Sequence, residues 1–158
     1  MRFLSAWRRR LMGSERSQSM VEFVLVLPIF LVLVMGIIDF GMGFGAYVQL
    51  KNAAREGARY AVVGNPAGTY PADCTPPVTT SVIGHVCIAV NDLNLADDPQ
   101  NVVSVQYPNG QASGNSVVVR AQYSYQLITP LGGLVTFFTG GSFPGQLDMT
   151  ATSDMRLE

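Results

Sequence analysis

Met20 to Ile38 reads M-V-E-F-V-L-V-L-P-I-F-L-V-L-V-M-G-I-I, nineteen residues with a single charged side chain, Glu22. Coiled as a helix at about 1.5 Å per residue it reaches roughly 28 Å, close to the thickness of bilayer hydrocarbon. A strand of this length is unusual, and a helix buried in a soluble core needs no cluster of arginines beside it. A cleaved secretory signal has a shorter apolar core, about 7–15 residues, and its small-residue cleavage site follows closely. Here the small residues near Ala46 lie well past the end of the run. The stretch predicts one membrane crossing.

Charge on either side orients it. Arg2, Arg8, Arg9, Arg10 and Arg16 precede the run, so residues 1–19 carry five cations against Glu15, a net +4. Residues 60–158 carry Arg120 and Arg156 against seven acids, a net −5. The basic flank stays in the cytoplasm, which sends residues 39–158 outside. The chain's formal net charge of −1 is thus a cancellation between two compartments. Only 13% of its residues are charged, against about 25% in an ordinary soluble domain. The acidic larger part would repel phosphate, and no basic stripe is interleaved with aromatics, so nucleic acid is excluded as a partner.

Helical spacing continues past the membrane. Tyr47, Leu50, Ala54, Ala58 and Ala61 recur every three or four residues, and Lys51, Arg55 and Arg59 form a polar stripe beside them. One helix is expected from about Met20 to Val63, roughly 66 Å long, half of it in the membrane. Gly36, Gly41, Gly43 and Gly45 each cost up to about 1 kcal/mol relative to Ala, which predicts bending or unwinding at the junction, and Pro28 predicts a kink within the bilayer. Gly36, Gly41 and Gly45 also suit close packing with neighbouring membrane helices. For Ala53, Ala54, Gly57, Ala58 and Ala61 two readings stand: the protein's own sheet, or another helix.

Gly64-Asn65-Pro66 ends the helix, and a Pro/Gly-rich loop follows to Pro77. Residues 79–92 fit either period and are read as a short helix capped by Thr79, Thr80 or Ser81. Val103, Val105 and Tyr107 alternate, a turn-rich stretch begins at Pro108, and Val117, Val119, Ala121, Tyr123 and Tyr125 alternate again, which predicts a hairpin with a long loop. A last strand places Leu147, Met149, Ala151, Ser153, Met155 and Leu157 on one face. The expected fold is α+β and pilin-like, a long N-terminal transmembrane helix whose outer half packs on a small antiparallel sheet. Its parts are a basic cytoplasmic tail (1–19), the membrane helix (20–38), its extracytoplasmic continuation (39–64) and a mainly β domain (65–158). Leu131 to Phe138, L-G-G-L-V-T-F-F, fits either a core or an exposed apolar patch that meets a partner or the membrane surface.

Cys74 and Cys87 both fall in the exterior part. A disulfide between them would contribute on the order of 3 kcal/mol in the chain-entropy model, and the compartment permits it; two free buried thiols are the alternative. Two cysteines and one distant histidine fall short of a zinc ligand set. Asp92, Asp97 and Asp98 miss the EF-hand spacing and read as a solvated loop. Gly41-Met-Gly43-Phe-Gly45 follows a membrane segment rather than a strand, which disqualifies it as a dinucleotide fingerprint. His85, the sole histidine, has no nucleophile in a recognisable arrangement. No metal, cofactor, small-molecule substrate or enzymatic activity is expected.

Two motifs carry a family resemblance: Arg16-Ser17-Gln18-Ser19-Met20-Val21-Glu22-Phe23 ahead of the apolar run, and Asn52-Ala53-Ala54-Arg55-Glu56-Gly57-Ala58-Arg59-Tyr60-Ala61 after it. Together they resemble the TadE-like family, minor pilins or pseudopilins of tight-adherence (Flp-type) pilus systems, most strongly over residues 16–64. The resemblance implies a prepilin-peptidase site of the form Gly, four residues, Glu-Phe, cut directly after the Gly. Ser17 stands where that pattern has Gly, Gln18 becomes the new N-terminus, and Glu22 and Phe23 supply the Glu-Phe pair. It further implies that Glu22 guides docking by meeting the freed amine of a neighbouring subunit. A carboxylate at the head of a membrane helix is costly unless it is paired or near the interface, so pairing with Arg16 or water at the headgroups is the local alternative. Implied partners are the cytoplasmic membrane, the prepilin peptidase, an Flp-type major pilin, and other minor pilins or platform proteins. A membrane-anchored exterior binding domain that enters no pilus is the rival reading.

Overall fold

Between Glu15 and Val62 the only residue that cannot donate a helical hydrogen bond is Pro28, and in hydrocarbon a helix is the one way a single segment can satisfy its own backbone. The computed structural model describes residues 15–93, 95, 98, 100–141 and 145–158, with the backbone alone for 15–17, 138 and 139. In it helix α1 runs unbroken over Glu15–Val62 with Pro28 inside, roughly 72 Å at 1.5 Å per residue. The unwinding expected between Gly36 and Gly45 does not occur. Tertiary contact begins within that stretch: Asp39, Gly43 and Ala46 are buried, and their packing outweighs a glycine penalty of about 1 kcal/mol per residue.

The buried positions of α1 are 39, 43, 46, 50, 53, 54, 57, 58 and 61, a stripe at intervals of three and four that faces one side. Tyr47, expected within it, stands at its margin and is 36% exposed; Ala46 takes the inward place. Lys51, Arg55 and Arg59 are exposed as a polar stripe should be, with Arg59 donating to Glu56 at 2.7 Å.

Against this stripe lie a second helix and a sheet. Helix α2, Val82–Ala89, starts where the Ser81 hydroxyl accepts from the Gly84 N–H at 3.1 Å. Strands β1 (Val102–Gln106), β2 (Ser116–Gln126) and β3 (Gln146–Arg156) form an antiparallel sheet in the order β1-β2-β3. Val105 pairs with Val119, and Val119 with Ser153. Alternation then sends Val117, Val119, Ala121 and Ala151 into the core that Leu50, Ala54 and Ala58 enter from α1 and Val82, Val86 and Val90 from the α2 region. Cys74 and Cys87 form a disulfide that ties the loop after α1 to α2. Leu131–Thr139 is helix α3, between β2 and β3. The chain has the α+β, pilin-like arrangement of a long apolar helix and a small antiparallel sheet.

The Ala/Gly stretch of α1 packs on the protein's own sheet and α2. Small side chains let the backbones approach, and Gly57 is the tightest point: a Cβ there would stand 2.4 Å from Val86 Cγ2 and 3.4 Å from Val119 Cγ1. Gly57→Ala gains up to about 1 kcal/mol of helix propensity and loses about 1–3 kcal/mol to overpacking. Thermal unfolding of the detergent-solubilised chain, followed by circular dichroism, should show a lower midpoint for Gly57→Ala. Gly45→Ala, whose Cβ meets nothing within 4 Å, should show an equal or higher one.

Candidate membrane and assembly interface

The apolar part of α1 is covered by nothing else among the described residues. Its most apolar window has a mean hydropathy of 2.9 and none of it is buried, so by length and composition it could cross a membrane. Met20, Val21, Phe23, Leu25 and Ile29 all face outward. Glu22 lies among them, exposed, with no ion-pair partner among the described residues. Ser17 and Gln18 lie in the first turns of α1, Gln18 exposed; the Ser17 side chain and residues 1–14, with Arg2, Arg8, Arg9 and Arg10, lie outside the description. Around Gly36, Gly41 and Gly45 an added Cβ would meet nothing within 4 Å, leaving the helix backbone open to close approach.

One residue that matters at this interface escaped the sequence reading. Asp39, directly after the apolar run, is 2% exposed. One carboxylate oxygen accepts from the backbone N–H groups of Ile128 and Thr129, at 3.0 and 3.2 Å, and the other accepts from the Thr129 hydroxyl. Three donors thus meet a buried charge that would otherwise be unfavourable. Burial pushes the carboxyl's pKa up, but the hydrogen bonds from Thr129 and Ile128 prevail and hold it below the ordinary value of 3.8. The available signal was positional: Asp39 is the only charged residue between Glu22 and Lys51, and it continues the buried 43, 46, 50 spacing backwards by one turn.

Beside Asp39 the helix and β3 form a shallow apolar hollow of about 200 Å³, lined by Phe40, Gly43, Phe44, Tyr47, Leu147 and Met149. Phe40 and Phe44 stack with ring centroids 6.4 Å apart. Tyr125 packs along Gly43, and burial, then the Asp39 charge, raise its phenol's pKa.

Catalytic chemistry finds no comparable setting. Among the described residues no group of three or more His, Cys, Asp or Glu could hold a metal. His85 stacks on Tyr60 at 3.9 Å, Asp92 is exposed in a 3-10 turn, and Asp97 lies outside the description. Gly41, Gly43 and Gly45 sit mid-helix, where no phosphate-cradling turn exists.

An uncovered apolar helix headed by Glu22 and running into an Ala/Gly-rich outer half is a pattern that can be matched directly. Residues 18–59 match the family model of TadE-like proteins. No curated protein and no solved structure matches the chain. The TadE-like segment contains the apolar run, Glu22, Asp39 and most of the buried small-residue stripe, and it ends before α2 and the sheet. The match suggests a pilus-associated, membrane-anchored protein.

The hydrogen-bonded Asp39 sets a pH dependence. Its depressed folded-state pKa means that its stabilising contribution is complete above the ordinary value of 3.8 and is lost as pH falls through the folded value. Asp73, lowered by the Ser81 hydroxyl and the Thr69 N–H, loses stability in the same direction. Denaturant titrations at pH 7 and at about pH 3 should show Asp39→Asn less stable than the parent at pH 7, with the difference shrinking at low pH. A constant difference at both pH values would mean that the charge contributes nothing.

Proposed function

We propose that this chain is a TadE-like minor pilin or pseudopilin, a non-enzymatic component of tight-adherence pilus biogenesis anchored in the cytoplasmic membrane. The observation that carries the reading is the exposed apolar half of α1, with an exposed Glu22 near its start that has no ion-pair partner among the described residues, inside the TadE-like segment. Residues 1–19 form the cytoplasmic tail, 20–38 the membrane helix, and 39–64 with 65–158 the exterior part; the Cys74–Cys87 disulfide suits that oxidising side.

In this reading a prepilin peptidase cuts between Ser17 and Gln18. The new Gln18 amine of one subunit and the Glu22 carboxylate of its neighbour neutralise each other in the low-dielectric bilayer, where either charge alone is costly. Phe23 packs beside them, and the open backbone at Gly36, Gly41 and Gly45 admits neighbouring helices of an Flp-type major pilin, other minor pilins or the assembly platform.

Mass spectrometry of the protein extracted from membranes of pilus-producing cells should find Gln18 as the N-terminus, and Glu22→Ala should abolish pilus assembly while the protein stays in the membrane. An intact tail together with normal piliation of Glu22→Ala would overturn the proposal in favour of a membrane-anchored binding domain that enters no pilus.

A further inference from the structure

We infer that α3 and the turn before it form a second membrane contact, a short helix resting on the outer surface of the bilayer that α1 spans. The inference rests on the membrane-anchored reading of α1 and adds a surface that lies outside the TadE-like segment.

Composition is the first support. From Leu127 to Gly141 there is no ionisable side chain, whereas a helix on the wet surface of a domain normally carries a polar, charged face. Nor is this segment a core element: Phe137 is 80% exposed and Ile128 67%. Apolar side chains of this size, exposed within one charge-free segment, mark a surface made to meet something apolar.

Position decides which apolar partner. The N–H groups of Ile128 and Thr129 are bonded to Asp39, the first residue beyond the apolar run, and α3 begins at Leu131. The start of the segment is therefore pinned at the level where α1 leaves hydrocarbon, within about one helical turn, or 5 Å, of the boundary. On α1 just beyond that level Phe40 and Phe44 are exposed as well, which extends the apolar surface of the helix past Asp39. The surface is thus continuous with the one that already meets lipid. With no Lys or Arg in it, attachment is by apolar burial and owes nothing to anionic lipid or to salt. Two attachments, α1 and α3, joined through Asp39, hold the sheet domain at a set height and angle over the membrane.

Full-length protein in zwitterionic vesicles tests this, with Trp7→Phe as background and single tryptophans introduced as Phe137→Trp, Ile128→Trp, Ile88→Trp on α2, and Leu33→Trp in the span. Phe137→Trp and Ile128→Trp should emit at shorter wavelength than Ile88→Trp and be quenched by lipids brominated near the glycerol end of their chains. Added salt or anionic lipid should not change this. Leu33→Trp should be quenched by bromines deeper in the chains. If Leu33→Trp is quenched while Phe137→Trp and Ile128→Trp behave like Ile88→Trp, the α3 contact is overturned and the anchor stands. Shielding of Phe137→Trp that grows with protein density, without bromine quenching, assigns the surface to another protein and also overturns it. An unquenched Leu33→Trp removes the anchor itself and the inference with it.

Discussion

A single helix here has two halves of different character, one exposed and apolar, one packed on a core, and the fold is organised around where it changes from one to the other. Over its apolar run α1 meets no other described part of the chain, and its backbone is closed internally by helical hydrogen bonds. Over its second half it contributes one face to a core and keeps the opposite face in water. Asp39 stands at the change. A carboxylate there is tolerable only because three donors from the β2–α3 connection converge on it, and the same bonds set the height at which the sheet domain sits along the helix.

Above that point the packing follows from side-chain size. The α1 face is Gly43, Ala46, Leu50, Ala53, Ala54, Gly57, Ala58 and Ala61, so the helix brings little volume of its own, and the core is filled mainly by valines from α2 and the sheet. Contact between Gly57 and Val86 is possible only with no Cβ on the former. Ala and Gly at these positions therefore serve the chain's own core, while the open glycines at 36, 41 and 45 remain available to other helices. One compositional bias has two uses along the same helix, divided by helix face, since the open Gly41 and Gly45 alternate with the buried Gly43 and Ala46.

A large part of this was legible beforehand. The apolar run, the continued 3–4 spacing and the period-two alternation of β1, β2 and β3 are local properties, each set by the geometry of one element. They lead to the α+β arrangement, while the Arg16–Phe23 and Asn52–Ala61 motifs carry the TadE-like resemblance, most strongly over residues 16–64. The reading failed where two elements distant in sequence decide the outcome. Unwinding at Gly36–Gly45 was the local expectation, because propensity counts only the glycines; contacts from Asp39, Gly43 and Ala46 overrode it. Spacing alone places Tyr47 inward, yet it is Ala46 that is buried, beside a Gly43 that lies against Tyr125 and Met149.

Asp39 and Leu131–Phe138 show the same boundary most clearly. Local sequence makes Asp39 a charge at the end of an apolar run and makes α3 an apolar oddity, with nothing to connect them across some ninety positions. What the residues determine unaided is the long apolar helix and the alternating strands, because hydrogen-bond closure and hydrophobic period act within a segment. Which carboxylate is buried, which glycines touch neighbours and which apolar helix stays outside the core were settled only by the tertiary fold, because each depends on donors, volumes and surfaces that a different part of the chain supplies.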